Sequence, residues 1–96
     1  MRKGNDYTLK EAIQQLVEAY KIRPKLREAQ LIESWEELVG PAIAKRTQDL
    51  KLKGDTLQIR VISSVLREEL HFSKAKIIQL VNEKLGANIV REVTLL

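Results

Sequence analysis

Apolar residues recur at Leu9, Ala12, Ile13, Leu16, Val17 and Tyr20, the i, i+3, i+4, i+7 stripe of an amphipathic helix. Lys10, Glu11, Gln14, Gln15 and Glu18 fall on its polar face. Thr8-Leu9-Lys10-Glu11 reads as a capping box, with Thr8 as N-cap and Glu11 reaching back to it. Pro24 interrupts the pattern, because it lacks an N–H and pushes Arg23 toward an extended backbone. A second stripe at Leu31, Ile32, Trp35, Leu38 and Val39 predicts a helix over about 26–39. Gly40 suits the position just past its end, and Pro41 can open a short helix through Lys45, with Ile43 and Ala44 beneath it.

The apolar period then changes from 3.6 to 2. Leu50 and Leu52 alternate with Asp49, Lys51 and Lys53, and Leu57, Ile59 and Val61 alternate with Gln58 and Arg60. Gly54-Asp55 between them is a turn, so the segment predicts an antiparallel hairpin with one dry and one wet face. Ser63 or Ser64 caps a long helix to about Leu85, with its stripe at Leu66, Leu70, Ile77, Leu80, Val81 and Leu85 and its stop at Gly86. A last strand is expected over about 89–95, with Val93 and Leu95 inward. The order α-α-β-β-α-β predicts an α+β fold of two layers, a three-stranded sheet covered on one face by all the helices. The second strand, the long helix and the third strand form a crossover expected to be right-handed. One domain over 1–96 is expected, with residues 1–7 a flexible N-terminus.

Composition narrows the function classes. The sequence has no cysteine, which removes disulfides and thiolate metal sites and fits a reducing cytoplasm. No apolar run follows the basic N-terminus, so neither a signal peptide nor a membrane span is expected. The net charge of +4 is uneven. Residues 5–40 carry seven acids and five bases, whereas residues 41–96 carry six acids and ten bases. That asymmetry points to a polyanionic partner, with an ordinary soluble surface as the alternative.

The candidate residues follow from the pattern. Trp35 shares a stripe with Leu31 and Leu38, so its leading reading is a core anchor whose indole N–H needs a partner. An anchor for a partner protein is the alternative. Glu33, Glu36 and Glu37 around Trp35 repel phosphates, and no predicted strand carries an aromatic, so base stacking is not expected there. Gly40, Leu66, Leu70 and Gly86 are the other expected structural positions. If the hairpin leucines point inward, Lys51, Lys53 and Arg60 point outward together, with Lys45 and Arg46 at one end. These five form a candidate phosphate-contacting stripe on which Asp49 is the acid, although lysines on a sheet face also discourage edge pairing. Arg91 is ambiguous by parity, and Lys74, Lys76 and Lys84 scatter around their helix. His71 is the sole histidine and has no partner set for a metal or nucleophilic site. With no GxGxxG, Walker A or HExxH pattern, neither a catalytic residue, a metal nor a cofactor is expected.

Trp35, Val39-Gly40, Ile43-Ala44, Thr47, "GDTLQIRV" over 54–61, "SSVLREEL" over 63–70 and "LVNEKLG" over 80–86 stand in an order and spacing that resembles the DciA-like family. The resemblance covers about residues 8–95. It implies a KH-like domain that binds DNA and acts in bacterial DNA replication as a partner and loader of the replicative helicase. KH domains that clamp RNA use a GxxG loop, but the glycines are Gly4, Gly40, Gly54 and Gly86, with no two three apart. The resemblance also does not extend to the long partner-binding extension of some members. Two functions stay open. The first is a DNA-binding accessory module that associates with the helicase, its DNA contacts weak and independent of sequence. The second is a protein-interaction module without direct nucleic-acid contact, anchored by the acidic face around Trp35 and by Arg2, Lys3 and Tyr7.

Overall fold

The computed structural model describes residues 8–96. The expectations for Arg2, Lys3, Tyr7 and a flexible tip lie outside the described residues. Helix α1 runs from Leu9 to Val39, followed by α2 (Pro41–Lys45), β1 (Thr47–Lys53), β2 (Thr56–Val61), α3 (Ser64–His71), α4 (Lys74–Leu85) and β3 (Glu92–Leu95). The fold is α+β, and the three strands form one mixed sheet in the order β1-β2-β3. β1 and β2 are the antiparallel hairpin, while β2 and β3 run parallel, joined through α3 and α4.

Strand alternation puts Leu50, Leu52, Leu57, Ile59, Val61 and Val93 on the dry face. There they meet Leu31 and Trp35 of α1, Leu70 of α3, and Ile77 and Val81 of α4. Val90, fully buried, closes the core beside β3. The strand expected from residue 89 begins only at Glu92, because a side chain takes the backbone groups before it. The Asn82 carboxamide oxygen accepts from the N–H groups of Ile89 and Val90, and its amide nitrogen donates to the Val90 carbonyl.

Two helices differ from the periodicity reading. Pro24 does not divide the first helix in two; it sits inside α1. A proline there costs about 3 kcal/mol, but the helix continues for many residues on either side with lysine, glutamate, alanine, glutamine and leucine, all good helix formers. The turn is exposed, so water can meet the carbonyl of Tyr20 that loses its donor. Conversely, the long helix after β2 divides at Phe72 and Ser73. Here the N–H groups of Phe72 and Ser73 donate to the carbonyls of Glu69 and Leu70, tightening the last turn of α3. The apolar stripe hides this break, since Leu70 and Ile77 lie seven residues apart and stay in phase.

All four helices contribute to the core on the sheet, but α1 does so along only part of its length. At 1.5 Å per residue α1 is about 46 Å long, whereas seven-residue β1 spans about 23 Å. Only the C-terminal part of α1 finds a surface, burying Leu31, Ser34 and Trp35. Ile32, placed on the core stripe by periodicity, is exposed, and Ser34 is buried instead. The N-terminal part projects as an arm. The molecule is therefore 64 × 21 × 20 Å with a radius of gyration of 17.8 Å, well above the roughly 12–13 Å of a compact chain this long. At the arm's start the Thr8 hydroxyl accepts the Glu11 N–H, and Glu11 accepts the Thr8 N–H. That N–H, then the Thr8 hydroxyl, holds the Glu11 carboxyl below its ordinary range.

Gly40 ends α1 and opens α2 at φ 90°, donating its N–H to the Glu36 carbonyl. A side chain there would meet no atom within 4 Å. The cost of substitution is therefore backbone strain alone, on the order of 1–3 kcal/mol. Both Gly40→Ala and Gly40→Val are expected to lower the urea midpoint. Wild-type stability in Gly40→Ala would contradict this account of the α1–α2 corner.

Candidate nucleic-acid interface

The face of the sheet away from the helices is open. Its rows follow from the strand register. Lys53 lies opposite Thr56, which lies beside Glu92; Lys51 lies opposite Gln58, beside Thr94; Asp49 lies opposite Arg60. Lys51, Lys53 and Arg60 are all exposed. The register shifts between Thr47 and Asp49, so Gln48 is an extra residue on β1. The bulge lets Thr47 turn inward although Asp49, two residues on, turns outward.

Thr47 has an inward task. The Trp35 indole N–H donates to the Thr47 hydroxyl at 2.9 Å, and that hydroxyl donates to the Ile43 carbonyl at 2.8 Å. This chain of hydrogen bonds ties α1, α2 and the start of β1 together, and it fixes where the basic strand begins. Arg46, just before Thr47, extends the ladder by one bond, its carbonyl accepting the Ile62 N–H. Its guanidinium folds back onto the Ala42 carbonyl at 3.0 Å. Lys45 lies exposed in the last turn of α2, at the rim.

Register puts Lys51, Lys53 and Arg60 on one face of the hairpin, with Lys45 and Arg46 just before it in the chain, but not as five equal charges. Lys51 and Lys53 are exposed on edge strand β1 and pair with no acid among the described residues, while between them the Leu52 N–H donates to the Glu28 carboxylate of α1 at 2.8 Å. Arg60 faces Asp49 across the ladder, and Arg46 is partly engaged by its own helix. Glu92 on β3 is an acid the stripe reading did not include; the alternation that turns Val93 inward turns it outward, and parallel pairing sets it beside Thr56, which lies opposite Lys53. Arg91 is exposed and precedes β3, its N–H donating to the Asp55 carbonyl of the hairpin turn. Lys84 leaves this surface altogether and pairs with Glu37 at 3.3 Å.

None of the three described strands carries an aromatic. Trp35 is 4% exposed, Tyr20 lies on the arm with Arg23 over its ring, and Phe72 stands edge-on to exposed His71. Among the described residues no three histidine, cysteine, aspartate or glutamate side chains converge to hold a metal. No described helix is long and apolar enough to cross a membrane. Beside β1 a groove of about 360 Å³ opens between α1 and the strand, lined by Ile32, Glu33, Glu36 and Asp49 among others. It is acidic, and neither Lys51 nor Lys53 lines it.

A family model described as "Dna[CI] antecedent, DciA" matches residues 8–95. The chain belongs to the DciA family. The family is associated with helicase loading in DNA replication and is an accessory family, not a known enzyme class. The chain is also similar to a "UPF0232 protein" of Corynebacterium glutamicum (strain R), 37% identical over 59 residues. That match covers 62% of this chain and 33% of the relative, so the chain spans about a third of the length of that relative. The DciA match includes all seven elements, the hairpin with its exposed lysines and the Trp35–Thr47 junction that positions it.

Proposed function

We propose that this member of the DciA family is a DNA-binding accessory module of bacterial DNA replication that associates with the replicative helicase in the cytoplasm. The observation that supports the DNA contact is the pair Lys51 and Lys53, exposed on the open sheet face, with Arg60 beside them and Lys45 at the rim. Cations without aromatic platforms or a glycine-rich clamp attract phosphates but do not read bases. Binding is therefore weak, electrostatic and indifferent to sequence. The family match over residues 8–95 supports the replication role.

The acidic groove supports a second reading, a protein-interaction module. Glu33, Glu36 and Asp49 repel a phosphate backbone, while exposed Ile32 offers an apolar contact. A pull-down separates direct partners from those bridged by nucleic acid. The tagged chain is used as bait in native lysate, with and without nuclease, and captured proteins are identified by mass spectrometry. Direct association predicts that the helicase is retained after nuclease treatment. Loss of the helicase with nuclease would mean that nucleic acid bridges the two, and its absence from both samples would remove the helicase from the account.

A further inference from the structure

We infer that the chain pairs with a second copy of itself through the projecting arm of α1, the two arms lying antiparallel. Leu9, Ile13, Leu16 and Tyr20 are spaced by four, three and four residues, the seam of a two-stranded coiled coil. In the single chain this seam faces water: Leu9 is 78%, Leu16 70% and Tyr20 72% exposed. It continues the face that buries Leu31 and Trp35 further along the same helix, after an interruption at Arg23, Pro24 and Arg27.

The seam is its own complement when reversed. Aligning Leu9 with Tyr20 of the second copy aligns Ile13 with Leu16, and symmetry repeats both contacts, so all four layers are apolar. Ala12 and Ala19 then meet along one flank, where small side chains allow close approach. Val17 and the aliphatic stem of Lys10 meet along the other. Glu11 and Glu18 lie on the far side of the helix, outside the contact. A parallel pair fails on two grounds. It sets Arg23 on Arg23 and Arg27 on Arg27, and it drives the two globular parts together, since each lies on the seam side of its own helix. The antiparallel pair sends them to opposite ends.

The area is sufficient. Five apolar side chains from each arm, at roughly 100 Å² apiece, remove on the order of 1,000 Å² from water, the threshold for a specific interface. The inference does not depend on the nucleic-acid reading.

Sedimentation equilibrium from low micromolar to millimolar concentration tests it. The expected mass approaches twice the 11.0 kDa of one chain at high concentration and falls toward 11.0 kDa on dilution. Leu16→Glu places two carboxylates within the seam and is expected to stay monomeric throughout. Because Leu16 lies outside the core, that variant should melt like the dilute wild type, which separates lost pairing from lost folding. Orientation is read by disulfide formation, since the chain has no cysteine of its own. Leu9→Cys and Tyr20→Cys copies should cross-link when mixed and not when alone. A wild-type chain that is monomeric at every concentration, a Leu16→Glu chain that still pairs, or Leu9→Cys cross-linking to itself would overturn the proposal. Capture of a foreign protein by a monomeric arm would overturn it as well.

Discussion

Trp35→Ala is expected to lower stability by about 3–5 kcal/mol, the cost of emptying an aromatic site in a packed core. Trp35 is 4% exposed and packs with Leu31 against the dry face of the hairpin. It is also the donor that begins the chain through the Thr47 hydroxyl to the Ile43 carbonyl. A domain of this size has only about 5–10 kcal/mol to lose, and each kcal/mol corresponds to about 4–8 °C in melting temperature. A fall of at least about 12 °C is therefore expected, followed by far-ultraviolet circular dichroism. Trp35→Phe separates the two contributions. It keeps most of the packing but leaves the Thr47 oxygen without its donor, at a cost nearer about 1–2 kcal/mol. An unchanged melting curve in Trp35→Ala together with loss of a protein partner would instead make Trp35 a contact residue.

Much of this junction is legible from the chain alone, because its signals are local. The capping box at Thr8, the alternation of Leu50, Leu52, Leu57 and Ile59, and the stop at Gly86 each depend on residues within a turn or two. The positive φ of Gly40 is of the same kind. What escapes is what depends on distance along the chain. Ile32 and Ser34 straddle the helical stripe, and which of them is buried depends on how far α1 rotates to seat Trp35. The overhang of α1 depends on the length of a sheet that begins many residues later. Asn82 looks like an ordinary polar helix residue until the segment at Ile89 and Val90 returns to it. Pro24 illustrates a competition: the local rule that it ends a helix is outweighed by the helix formers on both sides.

The same division runs through the candidate site. Parity identifies Lys51, Lys53 and Arg60 as neighbours on the wet face, since alternation is local. The charges that offset them are less visible. Asp49 comes opposite Arg60 in the register that the Gly54-Asp55 turn sets, and Glu92 comes beside Thr56 through parallel pairing with β2. Arg46 is drawn back to Ala42. On the proposed reading the face offers about three phosphate contacts, which corresponds to a log–log salt slope of about −2 to −3 depending on strand type.

Reversing Lys51 and Lys53 should therefore have a large effect. Lys51→Glu with Lys53→Glu removes two of those contacts and adds two repulsions. The loss in affinity is expected to be on the order of 50-fold at 0.1 M salt and the same for every DNA sequence. Folding should be unaffected, because both side chains are exposed and surface substitutions of this kind change stability by less than about 0.5 kcal/mol.

The decisive measurement is the affinity of the wild-type chain and the Lys51→Glu/Lys53→Glu variant for labelled single- and double-stranded DNA, titrated across a series of salt concentrations. The account predicts that wild-type binding weakens steeply with salt, that unrelated sequences bind alike, and that the double variant loses affinity with a slope flattened by about two. Wild-type binding that ignores salt, or a folded double variant that binds as tightly as wild type, would contradict the assignment of the open sheet face to nucleic acid.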